Sequence, residues 1–519
     1  MNEFSHHGRT LPRSRFRVYR AIDLPVGEMQ TGKHLPARSR ESPADEYLEQ
    51  AFIEKGLLLS RLIMVSNRVT LPAGVAAAGG LAVAISDVLR ERSGVWFGWS
   101  GKISNRRSAS PSVTTEAGVT YATVDLSEAD HLAYYSSYAN GTLWPLLHYR
   151  LGLIAFDHLA FDGYLKVNRN MAARLAALLQ PDDVIWIHDY HLIPLGAALR
   201  DLGVSNPIGF FLHTPFPVAE VFCSLPRHEI LLQAFGAYDL IGVQTPTDAR
   251  SLAASMERVA VTPPGFGRRN RILPLPIGID TANFAELARQ GVRSADTSRL
   301  KSSLAGRDLI IGADRLDYSK ALPNRFAAIA VLLTDWPETR SSFTYLQITP
   351  PSRSEVPEYQ RLRRELESAA GRVNGKFAEC DWTPIRYVNR TTPRSKLAGY
   401  LRIARVGLIT PFRDGMNLVA KEFVAAQDPA DPGVLVLSKF AGAAYEMNSA
   451  LLVNPYDTHE IALAVRNALK MPLLERRKRW ELMMDALQRN TVATWRDAFL
   501  RALTEAARPA ISQSEPRVA

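Results

Sequence analysis

The chain has 519 residues, 46% of them hydrophobic and 22% charged, with a formal net charge of +10; that length exceeds one ordinary core and predicts two sizeable domains of a soluble protein. No run of about 18 uncharged apolar residues occurs, which argues against a membrane span. The two cysteines, Cys223 and Cys380, offer neither a disulfide framework nor metal-ligand spacing, so a reducing cytoplasm fits best.

Roughly half of the net charge falls in the first ~40 residues, in RTLPRSRFRVYR and KHLPARSR. Residues 1–58 are rich in Pro and Arg and lack both a clean period and the apolar core of a signal peptide. They read as a disordered basic extension; a nucleic-acid arm is the weaker reading. From Leu59 the chain alternates short apolar runs with helical patterns. RLIMVSN, VWFGWSG, DVIWIHDY, IGFFLHTPF, LIGVQT and ILPLPIGI have the length of buried strands. NRNMAARLAALLQ and PLGAALRDLG, lying between them, are helical. After a mixed segment near Asn283 to Arg307 the pattern restarts with DLIIGADR, SFTYLQIT, IRYVN, VGLITPF, GVLVLS and ALLVNP, interrupted by helices such as EYQRLRRELESAAGRV. Strand, helix, strand in this order predicts parallel sheets covered on both faces, hence two tandem doubly wound α/β domains facing across a cleft.

In open sheets of this kind ligands bind beyond the carboxyl ends of the strands. Those ends carry Arg68, Asp189, His213, Arg315 with Lys320 shortly behind, and Arg413-Asp414-Gly415. Each alone is ordinary as a solvated loop group or cap; their joint placement is what points to a site. Arg315 and Lys320 lie across a turn, with Lys320 close to the next helix N-terminus, a natural seat for a diphosphate. In PFRDGMNLVAKEF, Gly415 permits close backbone approach and the N–H groups of Met416, Asn417 and Leu418 can meet phosphate or sugar oxygens. Asp414 can accept from sugar hydroxyls, and Glu422, one turn beyond Leu418, suits a ribose diol. For Glu422 the plainer alternative is an ion pair with Lys421 or a solvated face, although adjacent helix positions do not face each other. Trp99 and Trp144 serve equally as core aromatics or as a platform beside a sugar ring.

MVSNRV with AAGGLAVAI, WFGWSG, YYSSYANGTLWPLLHYR, VIWIHDYHLIPLGAALR, FFLHTPFP, DRLDYSKALPNRF, ITPPSRSEVPEY and PFRDGMNLVAKEFVAAQDP together resemble glycosyltransferase family 20, the trehalose-6-phosphate synthases, from about Leu59 to about Leu500. The resemblance implies the retaining GT-B architecture, and transfer of glucose from UDP-glucose to glucose 6-phosphate. It implies no metal and no cofactor, and a separate phosphatase to complete trehalose synthesis. Laid on this chain it gives the extension 1–58, an acceptor domain 59–285, a nucleotide-sugar domain 286–482, a helix 483–505 packing back on the first domain, and a tail 506–519.

Its site residues transfer by position. Arg315 and Lys320 resemble the donor diphosphate ligands, with Gly79-Gly80 beside the donor. Asp414 resembles the glucose-hydroxyl acceptor and Glu422 the ribose carboxylate, with Asn417, Leu418, Val419, Ala420 and Lys421 in the donor segment between them. Arg68, Tyr135 and Arg353 resemble an acceptor-phosphate clamp, Trp144 and Asp189 line the acceptor side, and His213 contacts the donor glucose. Two features depart from the pattern: Ala321 stands where glycine is expected, and Thr392 where some members carry an aromatic near the base, which leaves the nucleotide open. Alternative readings are a related transferase with another phosphorylated acceptor, such as a glucosylglycerol-phosphate synthase, or a catalytically silent sugar-phosphate sensor. Retention of Arg315, Lys320, Asp414 and Glu422 together weighs against the sensor. Oligomeric state stays open.

Overall fold

The apolar runs form the strands of two separate sheets in a computed structural model that describes residues 60–507, apart from 72–79, 93, 106–109, 262–269 and 354–355. The extension expected at 1–58, Gly79, and the tail beyond 507 lie outside the described residues.

The first sheet holds β1 (Leu62–Arg68), β2 (Gly94–Ile103), β3 (Ser112–Glu116), β4 (Val119–Leu126), β5 (Val184–His188), β6 (Ile208–Phe211), β7 (Leu240–Val243) and β8 (Arg271–Pro274), in the order β3-β4-β2-β1-β5-β6-β7-β8. Every neighbouring pair is parallel except β3 with β4. β5, β6 and β7 are buried along their whole length, as strands covered on both faces must be. The second sheet holds β9 (Asp308–Ala313), β10 (Phe343–Ile348), β11 (Ile385–Val388), β12 (Val406–Ile409), β13 (Val434–Ser438) and β14 (Leu451–Val453). Its order β11-β10-β9-β12-β13-β14 is all parallel. Counted from its own first strand this is the doubly wound order 3-2-1-4-5-6, and the first sheet follows the same plan from β4 onward. The switch points therefore fall between β1 and β5 and between β9 and β12.

The β3–β4 hairpin was not evident in the sequence, since β3 is exposed at every residue and offers no apolar run. The mixed segment after Asn283 resolves into two helices, Thr281–Gly291 and Ala295–Ser303.

The chain passes between the sheets twice. It leaves the first after β8, and it returns at Asn490 and Thr491, where Ile279 bridges Thr491 and the Asn490 side chain donates to the Pro276 carbonyl at 3.0 Å. The helix Val492–Ala507 then packs on the first sheet, where Phe499 stacks on Trp186 at 4.1 Å between ring centroids, and a β-carbon at Gly209 would meet the Phe499 ring at 2.7 Å. Among the described residues no helix is long and apolar enough to cross a membrane.

Candidate active site

The residues singled out at strand ends gather at the two switch points. Arg68 ends β1 and Asp189 follows β5; Arg315 follows β9 and Asp414 follows β12. The two sets face each other because the exits touch: a β-carbon on Gly415 would lie 2.0 Å from the His213 carbonyl oxygen. Arg413 adds a second tie, its Nη2 donating to the Phe216 carbonyl at 2.7 Å while its guanidinium lies 3.8 Å from the centroid of Tyr149.

Asp317 organises the middle of the cleft, and sequence reasoning missed it. Its fully buried carboxylate accepts from Arg353 Nη1 at 2.8 Å, Trp144 Nε1 at 3.3 Å and the Ser319 amide at 2.9 Å. Burial pushes this carboxyl up, but Arg353, Arg315, His148 and Lys320 outweigh it and hold the group down at about 2. Trp144, supplied by the first domain, carries Arg353 at 4.1 Å and Arg315 at 5.7 Å from its ring centroid. Arg353 is thus committed: its side chain is 5% exposed and its Nη2 also reaches the Tyr190 hydroxyl at 3.2 Å. Arg353, expected in the acceptor-phosphate clamp, is engaged within the joint between the two sheets.

Lys320 and Asp414 were expected to hold different parts of the donor. Here they form an ion pair, and the Asp414 carboxylate also accepts from Asn417 Nδ2 at 2.9 Å. Burial raises the Asp414 carboxyl, yet Lys320 more than offsets this and leaves it below its ordinary value. Asn417, at φ 77°, caps the helix Leu418–Ala426 by accepting from the Ala420 amide at 3.1 Å. Ala420 is therefore not free to donate to a ligand, whereas Leu418 and Val419 carry the first helix N–H groups, which have no intrahelical partner.

The Lys421 side chain is engaged where the chain crosses between the sheets. Its ammonium is fully buried, paired with Glu446 at 2.5 Å and donating to the Ile277 carbonyl at 2.7 Å beside the interdomain crossing. Neighbouring helix positions point apart, so Glu422 turns the other way and pairs with Arg394 at 3.4 Å. Burial raises the Glu422 carboxyl, with Arg394 opposing. Glu422, Arg394 and Leu418 line a crevice of about 20 Å³ closed opposite by Ala84 and Asp87 of the first domain. Gly80 opens the helix Gly80–Arg92 that carries Ala84 and Asp87. Thr392 lies in the loop before Arg394, half-buried.

Across the cleft, Asp189 adopts φ 74° and ψ 165°, a region that only glycine enters without cost. Its Oδ1 accepts from the His213 amide at 3.3 Å. Burial drives its carboxyl up to about 6, against the backbone N–H groups of Tyr190, His213 and Thr214 and the charge of Arg315. From Arg68 a row of rings runs inward. Arg68 lies 5.8 Å from the centroid of Trp99, Trp99 is 5.8 Å from Tyr135, Tyr135 stacks on His191 at 5.8 Å, and His191 lies 3.9 Å from Tyr190. Arg68 is exposed at one end of the row and Arg353 is buried at the other. Tyr135 belongs to a π-helical stretch, His131–Leu143, a wide winding that often marks functional sites.

Ala321 sits at φ 52°, in the left-handed region, and starts the helix Leu322–Asp335 directly after Lys320. The expected glycine is explained by that backbone, which this chain reaches with a β-carbon at some cost. A cavity of about 280 Å³ lies elsewhere, under the β3–β4 edge and lined by Thr123, Asp130, Asn170 and Arg174. It is separated from the switch point by β2, so the strand exits, not the cavity, define the site.

The Glycosyltransferase family 20 pattern matches residues 69–505. A trehalose-6-phosphate synthase of Sinorhizobium fredii is 49% identical over 457 residues, covering 86% of this chain and 98% of that protein. Among solved structures, an α,α-trehalose-phosphate synthase (UDP-forming) from Burkholderia xenovorans in complex with glucose-6-phosphate is 47% identical. It has a TM-score of 0.82 and coverage of 86% of this chain and 100% of that one. An E. coli structure bound with UDP-2-fluoro glucose is 45% identical, with a TM-score of 0.81 and coverage of 86% and 99%.

Proposed function

The chain belongs to glycosyltransferase family 20, and on that premise we propose that it transfers glucose from UDP-glucose to glucose 6-phosphate with retention, giving α,α-trehalose 6-phosphate and UDP. The observation that carries this reading is the convergence at the β9–β12 switch point of Arg315, Lys320 and the N-terminus of the helix Leu418–Ala426. As the bond from the anomeric carbon to the diphosphate breaks, positive charge grows on the sugar and negative charge on the leaving group. Cations and N–H groups fixed at the diphosphate stabilise that state more than the bound substrate. The acceptor hydroxyl oxygen forms the new bond on the same face, and its proton passes to a departing phosphate oxygen.

Asp414 takes sugar hydroxyls once Lys320 turns to phosphate, and Glu422 takes the ribose diol. Arg68, with Tyr135 and Trp99 behind it, receives the acceptor phosphate, while Arg353 and Asp189 shape the inner end of the acceptor pocket. Similarity to relatives solved with glucose-6-phosphate and with UDP-2-fluoro glucose supports this division. The reaction belongs in the cytoplasm, followed by a separate phosphatase.

The test is nucleotide release from a panel of sugar nucleotides, with and without glucose 6-phosphate. UDP release that requires both substrates is expected. Equal or faster release with glycerol 3-phosphate or free glucose as acceptor overturns the assignment.

A further inference from the structure

His188, the last residue of β5, is completely buried and has no place in the chemistry described so far. Its Nδ1 lies 3.1 Å from Nε2 of His213, the residue placed against the donor glucose. Behind it stand Trp186, 4.9 Å away between ring centroids, and Trp495 at 6.4 Å, the latter brought in by the returning helix Val492–Ala507. Burial depresses both imidazoles, to about 3 for His213, so both are neutral and the contact contains one N–H and one lone pair.

Two arrangements satisfy that contact. In one, His213 donates from Nε2, and His188 must then carry its own proton on Nε2, a buried atom with no acceptor. In the other, His188 donates from Nδ1 and leaves a lone pair on Nε2. The surroundings favour the second. Of the other buried polar atoms without partners in this region, the indole Nε1 groups of Trp186 and Trp495, whose rings pack on His188, can only donate, while the Thr214 hydroxyl beside His213 can do either. A buried N–H without an acceptor is also rarer than an unfilled lone pair.

We propose that His188 is a positioning residue: by donating its Nδ1–H to His213 it fixes His213 as the Nδ1–H tautomer, so that the ring presents a donor, not an acceptor, to a sugar hydroxyl oxygen in the cleft. The Nδ1 atom of His213 is not among the buried unpartnered atoms and makes no hydrogen bond within the described residues, so it is open to the cleft. The role given to the tautomer rests on the reading of the chain as a glucosyltransferase, whereas the tautomer itself does not.

The experiment uses the full chain labelled with ¹⁵N-histidine, with His213 assigned by comparison with His213→Ala. Two-bond ¹H–¹⁵N spectra near neutral pH are expected to show His213 protonated on Nδ1. His188→Asn keeps a donor at the Nδ1 position and should retain both this tautomer and turnover. His188→Asp places an acceptor there and should draw a proton to Nε2 of His213. It should also lower kcat about tenfold, the weight of one hydrogen bond, with the KM for glucose 6-phosphate unchanged. A native spectrum showing Nε2–H overturns the proposal, and so does His188→Asp with native tautomer and turnover. Should a variant fail to fold, the native spectrum still decides. Absence of any glucosyl transfer would remove the functional reading and leave the spectrum to judge the tautomer.

Discussion

The backbone carbonyl of His213 occupies the space in which a side chain at Gly415 would begin, 2.0 Å from the position of its β-carbon. The exits of β6 and β12 are pressed together with nothing between them, and this contact fixes how the two half-sites face each other. Gly415→Ala should force the sheets apart. A misplacement near 1 Å costs about a hundredfold in rate, while overpacking costs about 1–3 kcal/mol of stability. Steady-state kinetics beside thermal melts check this, and undiminished kcat would mean the joint is not needed in this closed form.

Lys320→Ala should lower kcat by about 10² to 10³, because it removes charge aimed at the leaving group. It also leaves Asp414 without its cation. The Asp414 carboxyl lies below its ordinary value when folded, so the stabilisation from the pair is present above the unfolded carboxyl range, about pH 4, and lost as pH falls below it. The melting temperature of the variant should therefore trail the native protein at about pH 7.5, with the gap narrowing as pH falls below about 4. Adding Asp414→Asn should recover stability without recovering turnover, and equal recovery of both would reject the assignment.

Arg68 and Arg353 should behave differently although both are assigned to the acceptor side. Arg68→Ala is expected to raise the glucose 6-phosphate KM about ten- to a hundredfold with an unchanged melting temperature, since the residue is exposed. Arg353→Ala should lower the melting temperature as well, because it strands the buried Asp317 carboxylate. UDP titrated calorimetrically should bind both variants as it binds the native chain. A matching loss of UDP affinity would show that the two half-sites are not separate.

Asp189→Asn should stabilise the protein near neutral pH while lowering turnover. Its folded carboxyl stands at about 6 against an ordinary 3.8, so the folded state binds the proton more tightly and stability falls as pH rises through that window. The amide carries no charge to bury. Melts across the range should show the variant ahead at about pH 7.5, by about 1–3 kcal/mol, with the advantage vanishing below about pH 4. A variant less stable than the native protein at neutral pH would contradict the cause given for the raised carboxyl.

Both sheets were legible because a strand buried on both faces must be an unbroken apolar run, and runs such as VIWIH and GVLVLS leave little choice. The strand-exit rule then found Arg68, Asp189, Arg315 and Asp414 without any view of the structure. It could not see how those groups pair with one another and with their neighbours. Asp317 sits two residues beyond Arg315 and looks like an ordinary turn residue; only the fold brings Trp144 and Arg353 onto it. Lys421 reads as part of a donor segment, and nothing beside it in the chain marks the pairing with Glu446 or the contact with the Ile277 carbonyl that bury its ammonium. The β3–β4 hairpin escaped because an exposed edge strand has no hydrophobic face to betray it.

The return of the chain to its first sheet has a consequence for synthesis on the ribosome. Phe499 and Trp495 cover Trp186 and Phe211, yet they emerge more than 200 residues after the last strand of that sheet. The first domain cannot close its own core until the second has been made, and for that interval an apolar face lies open to chaperones or to neighbouring nascent chains. Cutting the gene between the two sheets would not yield two independent halves. It would yield a first half that lacks part of its wall and a second half carrying an orphaned apolar helix.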